Sequence, residues 1–558
     1  MDRQSAQKME TCTAADPSGC QAKSGRSKSL HNSDMIKVLP SLKETLLNRT
    51  WHNCFLSLLI RFFLSNAIYL HPLGEFIERG LNIVYVNGGF AKAAFIILTG
   101  RSLKKVEKSS ENYLSIMGHL DLRTDLDSSI LDSGHIDSNG RYDRGAIIRD
   151  NPNTKWAADL CMMASKLTFE NSAVIKKVVT TSWKMSMVDD PYDFWNERLQ
   201  RKSTQAFLFT DRQKDAQIIV LAFRGTEPFN AHDWCTDFYF TWFPLHEPEN
   251  ILVHVGFLEA LGFVDRQNQD TLKKMHRKQS NIESTIRRNG YNSESGLSQN
   301  VIDDPEKPLA YDKLTAAIKR LLTSHKDAKI FITGHSLGGA LATVFTAMLY
   351  IYKEDAIAER ISAVYTFGQP RVGNEKFANY MEGKLNTPVY RYFRVVYSDD
   401  IVARIPFDDE HFQFQHFGKC FYYNRRYFLQ TREEEPNRNS SPLFYLFIPR
   451  MGAAFELIRS VIRMRDRESA FCTIFRLMGL LLPGVVAHNP ANYVNAVRSG
   501  PTVLRPQVSR NSCSLPNRLM RILSITRQRW PGLFVKTVVE QYVVNTDFNS
   551  QNGSQKTD

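Results

Sequence analysis

Phe331-Ile332-Thr333-Gly334-His335-Ser336-Leu337-Gly338-Gly339-Ala340 is the stretch from which the fold of this chain is read. The apolar run from Ile330 to Ile332 predicts a buried strand, and Ala340-Leu341-Ala342-Thr343-Val344-Phe345 predicts a helix. Between them stands a glycine-flanked serine. Strand, tight turn and helix around G-x-S-x-G make a nucleophile elbow, which raises the serine at the mouth of a sheet. Gly334 and Gly338 suit it because a helix packed across a sharp turn leaves no room for a Cβ. The helix N-terminus behind Ser336 favours negative charge developing there.

Working outward, Trp156, Leu160, Met163, Ala164 and Leu167 recur at helical spacing. The runs Ala206-Phe207-Leu208-Phe209 and Ile218-Ile219-Val220-Leu221-Ala222-Phe223 predict strands, divided by the polar turn Asp211-Arg212-Gln213-Lys214-Asp215. Leu314, Ile318, Leu321 and Leu322 predict the helix that feeds the strand before the elbow. Val364-Tyr365-Thr366-Phe367-Gly368 and the run from Tyr390 to Tyr397 predict further strands. Strands alternating with helices imply an α/β fold with a mostly parallel central sheet.

A serine needs a base to take its proton and an acid to orient that base. In elbow enzymes the chain order is serine, then aspartate or glutamate, then histidine. The strand Arg391-Tyr392-Phe393-Arg394-Val395-Val396-Tyr397 leads into Ser398-Asp399-Asp400, which offers two adjacent carboxylates. The later histidines are His411, His416 and His488. A turn position beyond the last strand favours His488. His254 qualifies as a base by residue type but reads more simply as a packing residue. The loop Arg224-Gly225-Thr226-Glu227 leaves a central strand where an acyl-transfer enzyme places its second oxyanion donor, and Thr226 offers both an N–H and a hydroxyl there.

The chain has 558 residues, 43% hydrophobic and 23% charged, which permits a sizeable core. Its net charge of +13 favours an acidic partner surface. No nucleic-acid motif is present, and the apolar segments point instead to an anionic lipid surface. The eight cysteines are scattered without metal-ligand spacing, the usage of a reduced, cytosol-facing protein. Neither a metal nor a cofactor is expected.

Residues 1–33 are polar and aperiodic, and disorder is expected there. Residues 34–149 hold two apolar zones, one from Cys54 to Leu70 and one from Leu81 to Leu98. Both carry charged or polar groups, so an interfacial helix or a hairpin turning back at Pro72 and Gly74 is favoured over a spanning helix. The alternative is that these helices pack on the catalytic domain. That domain is placed at 150–500, with a disordered polar insertion at 265–308. The aromatic-rich run 229–243 reads either as core or as a lid. A basic tail occupies 501–558, an interfacial helix or a solvated end.

The elbow, together with Phe367-Gly368-Gln369-Pro370-Arg371-Val372-Gly373-Asn374, resembles the class 3 lipase family. The closing Pro483-Gly484, His488-Asn489-Pro490 and Tyr493-Val494-Asn495-Ala496-Val497-Arg498, with the apolar extension, resemble its plant oil-body branch. The resemblance covers roughly residues 150 to 500. It implies an α/β-hydrolase fold with Ser336 as nucleophile, Asp400 as acid, His488 as base, and the N–H groups of Thr226 and Leu337 as oxyanion hole. The chain departs from the family's finish after the acid at Ala403-Arg404-Ile405-Pro406, which keeps Asp399 open as the alternative. The resemblance further implies hydrolysis of tri-, di- and monoacylglycerols at a cytosol-facing lipid-droplet (oil-body) surface. The alternatives are a phospholipase A1 or galactolipase acting on membranes, and a lipase-fold scaffold without turnover. The stretch from Phe444 to Leu482 is a further lipid-contacting surface or an interface between copies in a homo-oligomer.

Overall fold

Strands buried almost end to end form the parallel centre of a nine-stranded sheet. The computed structural model describes residues 51–129, 143–196, 201–227, 242–246, 250–263, 308–406, 413–436, 448–462 and 469–505. The N-terminus 1–33, the insertion expected over 265–308 (apart from its last residue), nearly all of 229–243, His411, and the tail beyond 505 lie outside the described residues.

In chain order the strands are β1 (Ser186–Met187), β2 (Tyr192–Asn196), β3 (Arg201–Thr210), β4 (Ile218–Phe223), β5 (Trp242–His246), β6 (Ile251–His254) and β7 (Lys329–His335). Then follow β8 (Ile361–Phe367), β9 (Gly373–Asn374), β10 (Tyr392–Tyr397), β11 (Phe414–Gln415), β12 (Cys420–Tyr423) and β13 (Leu429–Arg432). The large sheet runs β1-β3-β4-β7-β8-β10-β12-β13, with β2 also paired to β3. Strands β4, β7, β8, β10 and β12 are mutually parallel, and antiparallel strands flank them on both sides. A second sheet pairs β11, β9, β6 and β5.

The central strands are apolar on both faces because helices cover both. Along β4, Ile219, Leu221 and Phe223 join one core and Ile218, Val220 and Ala222 join the other, the two-residue alternation of a strand. The first core takes in the helices Ala310–Ser324 and Leu337–Ile351, and the second the helix Lys155–Leu167. The expected order of strands and helices is therefore present.

The register aligns the strand ends. Phe223 of β4 pairs with Gly334 of β7, His335 with Phe367 of β8, and Phe367 with Val395 of β10. Loops leaving these strands emerge side by side along one edge of the sheet. The elbow itself depends on absent side chains. A Cβ on Gly334 would land on the backbone of Gly338, and a Cβ on Gly338 would land on the carbonyl oxygen of Phe223.

The apolar extension differs from the hairpin expected at Pro72 and Gly74. One helix, Trp51–Val86, runs straight through both residues. The chain bends instead by 83° at the break before the helix Phe90–Leu98. Gly88 and Gly89 supply that corner with φ of 83° and 95°, a region glycine enters without a steric penalty. Among the described residues no single helix is long and apolar enough to cross a membrane, although Tyr69–Val86 and Phe90–Leu98 pass that test as a bent pair.

Two asparagines clamp the long helix to the strap that follows it. Asn82 donates to Leu114 O and accepts from Leu114 N, both at 2.8 Å, and Asn87 makes the same pair of bonds to Lys104 at 3.0 and 3.1 Å. Asn171 of the catalytic domain then donates to the carbonyls of Lys108, Ser110 and Tyr113. The extension thus packs on the catalytic domain while leaving Tyr69, Phe76, Phe90, Phe95, Ile97 and Leu98 exposed.

Substituting Gly338→Ala forces the elbow helix away from β4. Overpacking of this kind costs about 1–3 kcal/mol. The expected outcome is a lowered thermal midpoint with loss of esterase activity, measured by calorimetry and by hydrolysis of a soluble ester. A variant with unaltered midpoint and activity would contradict this packing.

Candidate active site

Ser336 follows the last residue of β7 and precedes the helix Leu337–Ile351. Its φ of 60° and ψ of −132° place it in a region that non-glycine residues occupy only when the surroundings impose it. Two backbone bonds do so here, Ser336 N to Phe367 O and Gly339 N to Ser336 O, both at 2.9 Å. The first N–H groups of the following helix have no partner within it, and Leu337 carries one of them. Thr226 is nearly buried in the loop leaving β4. That loop touches the nucleophile position, since a Cβ on Gly225 would lie 2.6 Å from His335 O and 3.1 Å from Ser336 Cβ. Glycine is needed for this approach.

His488 lies between the short helix Pro483–Ala487 and the helix Pro490–Ser499. Its Nδ1 is 2.8 Å from Asp400 Oδ2. A carboxylate only accepts, so Nδ1 carries the proton and Nε2 presents its lone pair. Nε2 is buried and makes no hydrogen bond among the described residues. The His335 ring, one residue from Ser336, stacks on the His488 ring with centroids 4.5 Å apart, and His335 Nε2 donates to His488 O at 3.1 Å. Burial, reinforced by the charge of His488 nearby, holds the His335 pKa well below the usual histidine value. A neutral His335 therefore supports the ring of His488 without opposing a positive charge on it.

Asp400 is fully buried. Besides His488, its carboxylate accepts the N–H of Val402 at 2.8 Å and a very short bond from the Tyr493 hydroxyl. Burial, then the charge of Asp400, pushes the Tyr493 pKa well above the usual phenol value, so this hydroxyl stays a donor. The turn carrying Asp400 is fixed from beneath. Arg404 donates to the carbonyls of Asp400, Ser398 and Pro436, and Arg371 donates to those of Arg404 and Pro406 at 2.9 and 2.8 Å. Arg371 and Arg394 share Glu435, all three buried. Ile401 N bonds Gly484 O at 3.2 Å, joining the acid turn to the segment before His488.

Gly368, at φ 60°, ends β8 directly below this pair. A Cβ there would stand 2.7 Å from Asp400 Oδ2, 2.8 Å from the Tyr493 hydroxyl and 2.9 Å from His488 Cε1. Its place in the Gly368-Gln369-Pro370 sequence is thus dictated by the aspartate–histidine contact.

The structure gathers Ser336, Leu337, Thr226, Asp400 and His488 along one sheet edge and separates the competitors. Asp399 turns outward to an ion pair with Arg425. His254 caps the helix Val255–Ala260 by accepting from Gly256 N at 3.1 Å and stacks on Phe257. His416 bonds Ala403 O at 2.8 Å and is buried. Tyr493 is the residue sequence reasoning missed, since it stands within a quoted motif yet reads as part of an apolar helix face.

A serine raised on an elbow, beside a histidine oriented by a carboxylate and over a mostly parallel sheet, is the arrangement of a nucleophilic α/β-hydrolase. The sequence model described as Lipase (class 3) matches residues 220–410. The chain is 39% identical to the triacylglycerol lipase OBL1 of Nicotiana tabacum over 485 residues, covering 80% of this chain and 83% of that one. It is 38% identical to the triacylglycerol lipase OBL1 of Ricinus communis, covering 82% and 87%. Among solved structures it is similar to a lipase from Rhizopus microsporus var. chinensis, with 22% identity, TM-score 0.32 and coverage of 54% of this chain and 84% of that one. The chain belongs to the class 3 lipases, in their plant oil-body branch.

Replacing Tyr493 by phenylalanine removes one of the bonds to the Asp400 carboxylate. Hydrogen bonds to charged groups are worth about 1.5–3 kcal/mol, so kcat on a soluble ester is expected to fall at least tenfold with KM nearly unchanged. Asp399→Asn, by contrast, is expected to keep kcat within about twofold, because the Asp399 carboxylate is paired with Arg425 and the His488 ring is held by Asp400. Equal losses in the two variants would overturn the assignment of the acid to Asp400.

Proposed function

We propose that this protein is a serine lipase that hydrolyses the carboxylic ester bonds of tri-, di- and monoacylglycerols at the cytosolic surface of lipid droplets. The observation that carries the chemistry is the state of His488, with one ring nitrogen committed to Asp400, the other buried and without a hydrogen bond among the described residues, and the ring stacked on His335, the residue before the elbow serine. His488 Nε2 takes the proton of Ser336 as Oγ bonds to the ester carbonyl carbon. The resulting oxyanion receives the N–H groups of Thr226 and Leu337, while Asp400 stabilises the imidazolium. Collapse breaks the bond to the alkoxy oxygen, which leaves as the alcohol with the proton from His488. A water then repeats the sequence on the Ser336 acyl ester, with His488 as base, and releases the fatty acid.

Support for the substrate class comes from the relatives, which are named triacylglycerol lipases. Support for the lipid surface comes from two exposed apolar faces. One is the bent helix pair of the extension. The other comprises Met451, Phe455 and Ile458, spaced on one side of the helix Ile448–Ile462, with Ile474, Leu477, Met478, Leu481, Leu482 and Val485 leading to His488. Apolar patches of this kind mark interaction surfaces.

Ser336→Ala is expected to abolish fatty-acid release from emulsified triacylglycerol. Removal of one oxyanion donor costs about 3 kcal/mol, and Thr226→Val keeps its N–H, so that variant is expected to retain more activity than Ser336→Ala. A Thr226→Val rate equal to that of the unaltered protein would show that the hydroxyl takes no part in the hole, leaving the N–H as the donor. Serine-dependent release from phosphatidylcholine alone would instead favour action on bilayers, and no serine-dependent release from any of these lipids would favour the scaffold.

Changing Phe95, Ile97 and Leu98 together to serine is expected to shift the protein from floated lipid droplets to the cytosolic fraction, with hydrolysis of a soluble ester intact. Undiminished flotation would defeat the anchor.

A further inference from the structure

A cavity of about 210 Å³ lies between the long N-terminal helix and the loop leaving β4. The helix contributes His71, Gly74, Glu75 and Glu78, spaced as one stripe of a 3.6-residue repeat. Tyr69, Leu73 and Phe76 occupy the opposite stripe and face outward. Across the cavity stand Arg224 and Glu227, the residues that bracket Gly225 and Thr226. Phe169 also lines it, and its ring tip lies 3.0 Å from a Cβ position on Gly225, the same point that is 3.1 Å from Ser336 Cβ. The cavity therefore borders the loop that touches the nucleophile, and the helix closing it turns its apolar stripe away.

The lining selects its ligand by charge. Arg224 is spent on Gln205 Oε1 at 2.6 Å, Glu227 at 3.0 Å and Ser203 O at 2.8 Å, and Lys108 meets Glu75 at 3.5 Å. Glu170 accepts from Ser115 N and Oγ, both at 2.8 Å, and burial lifts its pKa to about 7. Burial also raises the Glu78 pKa, in part offset by the Tyr113 hydroxyl and Lys108, while the charge of Glu227 pushes it further up. A carboxyl group accepts hydrogen bonds when ionised and also donates one when protonated. With Arg224 and Lys108 each already paired to a carboxylate, the lining offers hydrogen-bonding groups suited to uncharged hydroxyls.

We propose that this cleft is the subsite for the free-hydroxyl end of a glycerol backbone, with Glu78 and Tyr113 as its principal hydrogen-bonding groups. It rests on the acylglycerol reading above and adds a preference to it: partial glycerides with exposed hydroxyls are held by the cleft.

The test uses the full chain and two substrates with the same acyl group, monooleoylglycerol and p-nitrophenyl oleate, the second lacking glycerol. For Glu78→Leu, KM for monooleoylglycerol is expected to rise about tenfold, the loss of one hydrogen bond to a polar partner, with kcat and all constants for p-nitrophenyl oleate unchanged. Glu78→Gln, which keeps the hydrogen-bonding shape, is expected to restore KM to within about twofold. Tyr113→Phe provides a second variant in the same direction should Glu78→Leu fail to fold. An unchanged KM for monooleoylglycerol, or equal losses on both substrates, overturns the subsite. Wild-type protein that cleaves p-nitrophenyl oleate but no acylglycerol overturns the acylglycerol reading itself, an outcome distinct from the first two.

Discussion

The backbone of Gly338 lies against the carbonyl oxygen of Phe223 with no space for a side chain between them. That contact presses the helix after Ser336 onto the end of β4. It brings the Arg224–Glu227 loop against the serine, and Gly225 continues the approach two residues after Phe223. A nucleophile and its oxyanion donors must hold their separation to a fraction of an ångström. Backbone packed on backbone provides this, because neither partner has rotamers to lose. The unusual φ and ψ of Ser336 are the local cost of that fit.

Asp400 and His488 are brought together differently. Asp400 and His488 are 88 residues apart in the chain, and the contact between them is secured through buried charge. Arg371, Arg394 and Arg404 are all fully or almost fully buried and bind mainly carbonyl oxygens and Glu435 beneath the acid turn. Each guanidinium offers five donors in a rigid fork, so a few arginines fix the backbone of an irregular turn that has no ladder of its own. Removing one partner from such a set leaves an uncompensated charge, which makes the acid turn sensitive to substitutions remote from the catalytic atoms.

The central strands and the elbow were legible because both rest on local rules: apolar runs along β4 and β7, and glycines where a Cβ cannot fit. The positions of Ser336, Asp400 and His488 followed from motif and chain order. Asp399 stayed open as the alternative to Asp400, since neighbouring residues on a turn point opposite ways and only packing sets one on His488 and the other on Arg425. Tyr493 escaped notice for a related reason. A tyrosine in an apolar helical pattern reads as core, and its hydroxyl acquires a task only when a carboxylate from another segment is packed against it. The bend of the extension was misplaced because Pro72 and Gly74 resemble a turn, whereas the helix runs past both and the corner falls at Asn87-Gly88-Gly89. Two adjacent glycines after an asparagine were the stronger signal. Buried arginines are read as surface from sequence, so the cluster under the acid turn was invisible.

The long N-terminal helix combines two environments in one element, an outward apolar stripe and an inward polar stripe facing the loop beside the serine. The same element thereby packs beside the loop that leaves β4. The central claim remains that Ser336 is a nucleophile activated by His488. Its most direct measurement is covalent capture by an alkyl fluorophosphonate, followed by intact mass and peptide mapping. One adduct per chain on the peptide containing Ser336, formed far more slowly in His488→Ala, is the predicted result. Labelling at another residue, or labelling of Ser336 at an undiminished rate without His488, would contradict it.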